Sequence, residues 1–225
     1  MQNYIKKLIP SDIKQIINKY LFKNKYGFFP PPAFTDMTGY EILLDAIIKQ
    51  KLYLLEGDFV EIGVFLGGGT YKLSKLLEKL GSPKKVYAVD IFDPEFDNTI
   101  CTQGKTMSEL YKEILKNKNQ YEIYKETIKD CKNINTLIGD SKKIAIPCKK
   151  ISFAYIDGNH SAEYVKNDFY LVWNKIVSHG VISFDDYGYD LPQVTKTIHQ
   201  LIGEQSNNIL KIWTAGLKTI FIQKI

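Results

Sequence analysis

The sequence predicts an α/β domain built on a mostly parallel sheet covered by helices, and three observations carry that expectation. From Asp58 onward, short apolar runs alternate with segments of helical spacing, the pattern of strands joined by crossover helices. The first of these runs ends beside an acid and opens into a glycine-rich turn, Gly63-Val64-Phe65-Leu66-Gly67-Gly68-Gly69. The last two runs, 209–213 and 219–223, are separated by only five residues that include Gly216. That gap is too short for a crossover and suits an antiparallel hairpin closing the sheet.

Residues 11–22 read as a helix, with Ser11 able to cap it and Ile13, Ile16, Ile17, Tyr20 and Leu21 forming one stripe. Phe28-Phe29-Pro30-Pro31-Pro32 interrupts it as an extended segment. A second helix is expected over 40–55, where Ile42, Leu43, Ala46, Ile47 and Leu54 are apolar. Residues 1–56 hold too little apolar mass to fold alone, so they are expected to form a helical arm lying over a main domain at 57–225.

In that domain the expected strands are 59–62, 86–91, 136–138, 151–156, 181–184, 209–213 and 219–223. Tyr71, Leu73, Leu76, Leu77 and Leu80 mark the helix after the first strand, and residues 161–171 suit another after the fourth. Residues 92–132 form a long polar excursion with one helix expected over 108–115, the kind of segment that often serves as a lid.

Bulk composition narrows the function classes. At 44% hydrophobic and 24% charged residues over 225 positions, the chain is ordinary for one soluble domain with a full core. No apolar run approaches a membrane span and the N-terminal residues lead into no signal-peptide core, so a cytoplasmic protein is expected. Cys101, Cys131 and Cys148 are odd in number and contain no C-x-x-C pair, which suggests neither a disulfide framework nor a zinc site. The net charge is +5, yet every basic residue is a lysine. Without arginine forks to read phosphates and base edges, and with lysines scattered, no nucleic-acid face is expected.

The motifs point to small-molecule chemistry. A strand, a glycine turn and a helix make a cradle in which backbone N–H groups approach a ligand closely. The turn is neither G-x-G-x-x-G nor a P-loop, and Glu61-x-Gly63-x-x-x-Gly67 is the acid-led form used for S-adenosylmethionine (SAM). Asp90 ends the second strand, where a ribose diol would be held. Asp140 and Ser141 follow the third strand, placed to read adenine; Gly-Asp-Ser also suits a helix cap. Asp157 follows the fourth strand and Asp185-Asp186 the fifth. If those strands are neighbours, three carboxylates converge and require a proton or a cation between them. Oxygen ligands favour Mg²⁺ or another hard divalent ion; the alternative is that Asp185-Asp186 caps a loop. His160, three residues past Asp157, is the candidate general base, with helix capping as the alternative role.

Taken together, the blocks 57–70, Val89-Asp90, Gly139-Asp140, Ile156-Asp157-Gly158-Asn159-His160 and 180–187 resemble the class I SAM-dependent methyltransferases. They are most similar to the macrocin O-methyltransferases and the group containing cephalosporin-hydroxylase-like proteins. The resemblance implies a Rossmann-like sheet of seven strands in the order 3-2-1-4-5-7-6. It places SAM on Glu61, Gly63, Val64, Phe65, Gly67, Gly69, Thr70, Asp90, Asp140, Ser141 and Asp157. Residues 35–39 are similar to a Thr- and Met-containing segment of that group, which adds Thr38 to the cofactor set. A divalent cation is implied on Asp157, Asp185 and Asp186. His160 stands where catechol-type relatives carry a lysine, and Leu66 where the macrocin group often has an arginine. The implied activity is methyl transfer to a small-molecule hydroxyl, such as that of a sugar. Metal-independent methyl transfer and a non-catalytic SAM-binding module are the alternatives. The N-terminal arm is a candidate contact for a second copy of the chain.

Overall fold

The computed structural model describes residues 25–27 and 40–225, so the helix expected over 11–22, the Pro30-Pro31-Pro32 break and Thr38 lie outside the described residues. The described chain begins with helix α1 (Glu41–Lys49) and a 3₁₀ turn (Leu52–Leu54). Strand β1 (Asp58–Ile62), helix α2 (Gly68–Lys79) and strand β2 (Val86–Asp90) follow. Next come α3 (Met107–Leu115), α4 (Gln120–Ile128), β3 (Ile134–Ile138) and β4 (Ile151–Ile156). The chain ends with α5 (Ala162–Trp173), β5 (Ile176–Phe184), α6 (Pro192–Glu204), β6 (Ile209–Ala215) and β7 (Thr219–Lys224). No described helix is long and apolar enough to cross a membrane.

The seven strands lie in the order β3-β2-β1-β4-β5-β7-β6. β1 to β5 are parallel, whereas β7 runs antiparallel to β5 and β6 antiparallel to β7, so the closing hairpin forms as expected. Period-two alternation sorts the strand residues between two cores. Phe59, Phe153, Tyr155, Val181 and Phe221 face Leu44, Ile47, Leu73 and Leu77 of α1 and α2. Val60, Ile62, Ala154, Ile156, Ile182 and Phe184 face Phe169, Val172, Ile198 and Leu201 of α5 and α6. Each large side chain so enclosed contributes about 1.5–3 kcal/mol.

Two elements differ from their expected form. The helix expected over 40–55 stops at Lys49, because Lys51 adopts a left-handed conformation (φ 53°) and the chain turns into the 3₁₀ segment. The 92–132 excursion holds two helices rather than one. α3 is fixed by a capping box between Thr106 and Glu109, and α4 by the Asn119 side chain accepting from the Glu122 N–H. α4 had no clear apolar stripe to betray it, since its inward anchor is Tyr124, buried against Val64 and Ala88 with its hydroxyl 2.8 Å from Thr136 Oγ1.

Parallel pairing brings the carboxyl ends of β1, β2, β3, β4 and β5 to one edge. There the strand tips are stitched by single bonds: Gly63 N–H donates to Val89 O (2.9 Å), Asp157 N–H to Ile62 O (2.8 Å) and Asp185 N–H to Ile156 O (3.1 Å). Gly63 is left-handed (φ +81°), and a Cβ on it would lie 1.9 Å from the Asp157 carbonyl oxygen. Both backbone strain and a direct clash therefore oppose any side chain. Gly63→Ala is expected to cost about 2–4 kcal/mol in urea denaturation, and a loss below 1 kcal/mol would show that the β1 and β4 tips are not packed this closely.

Candidate active site

A cleft of about 620 Å³, counted out to its mouth, runs across this edge from Gly63 and Asp157 past Asp90 to Gly139, Asp140 and Ser141. The excursion roofs it: Tyr111 of α3 and Gln120 of α4 line the cleft, and the Tyr111 ring lies 5.0 Å from that of Phe65.

Six of the sequence-predicted cofactor residues, Gly63, Phe65, Asp90, Asp140, Ser141 and Asp157, line this cleft. Asp90 is also the brace of the glycine turn. One of its oxygens accepts the Val64 and Phe65 N–H groups (2.9 Å each) and the other accepts Phe92 N–H (2.6 Å). Burial pushes its carboxyl above the usual range, and these bonds oppose that rise. Asp140 accepts Lys142 N–H (2.9 Å) and the Tyr164 hydroxyl (3.1 Å). Burial disfavours its charge, but those bonds prevail and hold it below the usual carboxylate range.

Glu61, Val64, Gly67, Gly69 and Thr70 do not line the cleft. Glu61 is fully buried beneath the start of α2, where its carboxylate accepts the Thr70 hydroxyl. A negative group there complements the positive end of the helix. Gly69 is glycine because a Cβ would meet Glu61 Oε1 at 2.1 Å. These residues hold the turn that forms the cleft wall.

At the β4 and β5 tips the structure assembles Asp157, His160 and Asp186, whose ligating atoms lie within 4.8 Å of one another. His160 is buried. Its Nδ1 lies 2.6 Å from Asp97 Oδ2, and its Nε2 lies 3.0 Å from Asp186 Oδ2 and 3.8 Å from Asp157 Oδ1. With Nδ1–H donating to Asp97, Nε2 faces the two acids, close to Asp186 but without a hydrogen-bond alignment. Asp185 is not part of this group; it is ion-paired with Lys218, which also reaches Asp186 Oδ1 at 3.0 Å. His160 therefore stands where Asp185 was expected among the clustered groups.

The electrostatics follow from burial and crowding. Burial and then the charge of Asp185 push Asp157 up to about 7. Burial disfavours a charged His160, yet Asp157, Asp186 and Asp97 together hold its imidazole well above the usual histidine range. Burial likewise opposes ionisation of Asp186, but His160 and Lys218 bring it down to about 2.

Asp97, Lys218 and Asp168 were not singled out from sequence. Asp97 sits in the polar excursion among similar acids, and Lys218 in a hairpin turn 32 residues beyond Asp186; neither carries a local motif. Asp168 lines the far end of the cleft, buried, with burial pushing it up to about 6. It did leave a signal, an acid inside the apolar stripe Val165, Phe169, Val172 of α5.

A family profile described as a methyltransferase domain matches residues 60–187, more than half of the chain. No protein of curated function matches the sequence. Among solved structures, the O-methyltransferase NovP superposes with a TM-score of 0.64 at 15% identity, covering 93% of this chain and 88% of its own. CalS11, a calicheamicin methyltransferase also described as TDP-rhamnose 3′-O-methyltransferase, gives 0.58 at 14% identity, covering 98% and 89%. MycE, a methyltransferase of the mycinamycin pathway solved with Mg, S-adenosylhomocysteine (SAH) and mycinamycin VI, gives 0.53 at 15% identity, covering 85% and 50%. At such identities the likeness is one of fold.

Because Asp157 titrates near 7 when folded and near 3.9 when unfolded, its charge opposes folding progressively as pH rises through that window. Asp157→Asn is expected to raise the melting temperature by several degrees at pH 8 and hardly at all at pH 3, where the carboxyl is neutral in both the folded and the unfolded state. Equal shifts at both pH values would remove the crowded-acid account.

Proposed function

This chain belongs to the methyltransferase-domain family, the class I SAM-dependent enzymes, and on that premise we propose that it transfers a methyl group to a hydroxyl of a small molecule, with a sugar as the favoured acceptor class. The observation that carries the reading is the place of His160: it is buried directly behind the cleft wall, its Nε2 3.8 Å from Asp157 Oδ1 and its Nδ1 fixed by Asp97, and both of those acids line the cleft. A hydroxyl presented at Asp157 comes beside this imidazole.

In this reading Gly63, Asp90, Asp140 and Ser141 would hold SAM, whose sulfonium would supply the methyl group. The acceptor oxygen would take that methyl with SAH as the leaving group, and His160 Nε2 would take the hydroxyl proton. Orientation supplies most of the acceleration, because the sulfonium is already a good leaving group. Asp97 sets the tautomer and ring angle of His160, as an orienting carboxylate does in other histidine-dependent sites. The acceptor preference follows CalS11, described as a TDP-rhamnose 3′-O-methyltransferase.

The residues fit a divalent cation. Asp157 and Asp186 offer carboxylate oxygens beside a buried imidazole nitrogen that lacks an aligned partner. When bound there, such an ion would polarise the hydroxyl and cancel the carboxylate charge that keeps the proton on His160. His160 can accept a proton only once that charge is offset.

Labelled SAM with a panel of nucleotide sugars and phenolic acceptors tests the reading. Transfer to at least one hydroxyl acceptor is expected, and SAM binding without transfer to any would favour a non-catalytic binding module. Once an acceptor is found, Asp97→Asn should lower kcat about 10- to 100-fold while leaving SAM affinity within twofold. His160→Gln should cost about 10²- to 10⁴-fold. Full turnover in EDTA would leave His160 and Lys218 as the cations the reaction uses.

A further inference from the structure

Lys218 enters the acid cluster from a direction that the parallel sheet cannot supply. β7 runs antiparallel beside β5, with Phe184 opposite Ile220, so the residues preceding β7 lie against those following β5. Tyr187 N–H donates to Lys218 O (2.8 Å), which fixes the Lys218 backbone at the strand tips. Its ammonium then pairs with Asp185 Oδ2 and lies 3.0 Å from Asp186 Oδ1. The second Asp185 oxygen accepts the Thr219 hydroxyl at 3.3 Å. Both oxygens of Asp185 are thus engaged by β7 and its turn, while Asp157 and Asp186 Oδ2 face His160.

We propose that Lys218 is a tethered cation that sets divalent-ion affinity at this site by holding Asp185 out of the coordination set. This rests on the cation site of the proposed function and adds to it a positioning residue on a different element. A fixed ammonium beside two carboxylates repels an incoming divalent ion and occupies one of the acids that would bind it. Neutralising the side chain removes the repulsion and frees Asp185. The side chain is 43% exposed, so it has solvent to swing into without breaking the core. The tether makes the site weak for metal and keeps the carboxylates compensated when no metal is present.

The test is Mn²⁺ binding to the full chain, read by electron paramagnetic resonance of free Mn²⁺, with SAH affinity measured alongside as a check on folding. Lys218→Met is expected to bind Mn²⁺ at least tenfold tighter than the native protein, and Lys218→Arg within threefold of it. Asp185→Asn alone should leave Mn²⁺ affinity within twofold. Combined with Lys218→Met, it should abolish most of the gain. An unchanged or weaker affinity in Lys218→Met would overturn the proposal, and so would a tenfold loss in Asp185→Asn alone, which serves even if Lys218→Met fails to fold. Native protein that binds SAH while neither it nor Lys218→Met takes up Mn²⁺ would overturn both this proposal and the cation site. Native protein that fails to bind SAH would overturn the methyl-transfer reading itself.

Discussion

Crowded negative charge at the tips of β4 and β5 is the constraint around which this protein is arranged. Asp157, Asp185 and Asp186 stand close together in a poorly solvated corner, and Asp97 adds a fourth carboxylate from the excursion. Uncompensated, such a group would take up protons or force the strands apart. Two internal cations prevent this. His160 is clasped between Asp97, Asp157 and Asp186, and Lys218 between Asp185 and Asp186. Asp186 belongs to both sets and joins them.

Each compensating group arrives by a different structural route. His160 follows β4 directly. Asp97 comes from the roof, and its loop is secured at several points: Asp97 also accepts the His160 N–H (3.1 Å), and Thr102 N–H donates to Asp190 O (3.1 Å). Lys218 arrives because the last strand is antiparallel. The excursion thereby orients the imidazole and covers the cleft with the same segment. Reorganising the roof would disturb the imidazole as well as the opening.

The sheet was legible in the sequence because its strands are short apolar runs with glycine or acid at their ends, and parallel burial makes such runs stand out. The acids at the strand tips, Asp90, Asp140, Asp157, Asp185 and Asp186, were legible for the same reason: position after a strand places a side chain at one edge. Glu61 and Thr70 were recognisable as part of the turn, but a sequence does not say which way a buried carboxylate points, and Glu61 points at the helix. Asp97 and Lys218 were illegible. Each gains its role only through pairing across long stretches of chain, and neither stands in a patterned segment. α4 escaped notice because one tyrosine, rather than a stripe, holds it down.

A methyl donor in the cleft would lie beside a histidine-centred acid cluster. An anomalous difference map from crystals grown with SAH and Mn²⁺ examines it most directly. The account predicts SAH extending from Gly63 to Ser141, a metal peak between Asp157 and Asp186, and Lys218 still paired with Asp185. SAH density elsewhere on the chain, or a cleft filled by the Tyr111 and Gln120 side chains with no ligand, would contradict it.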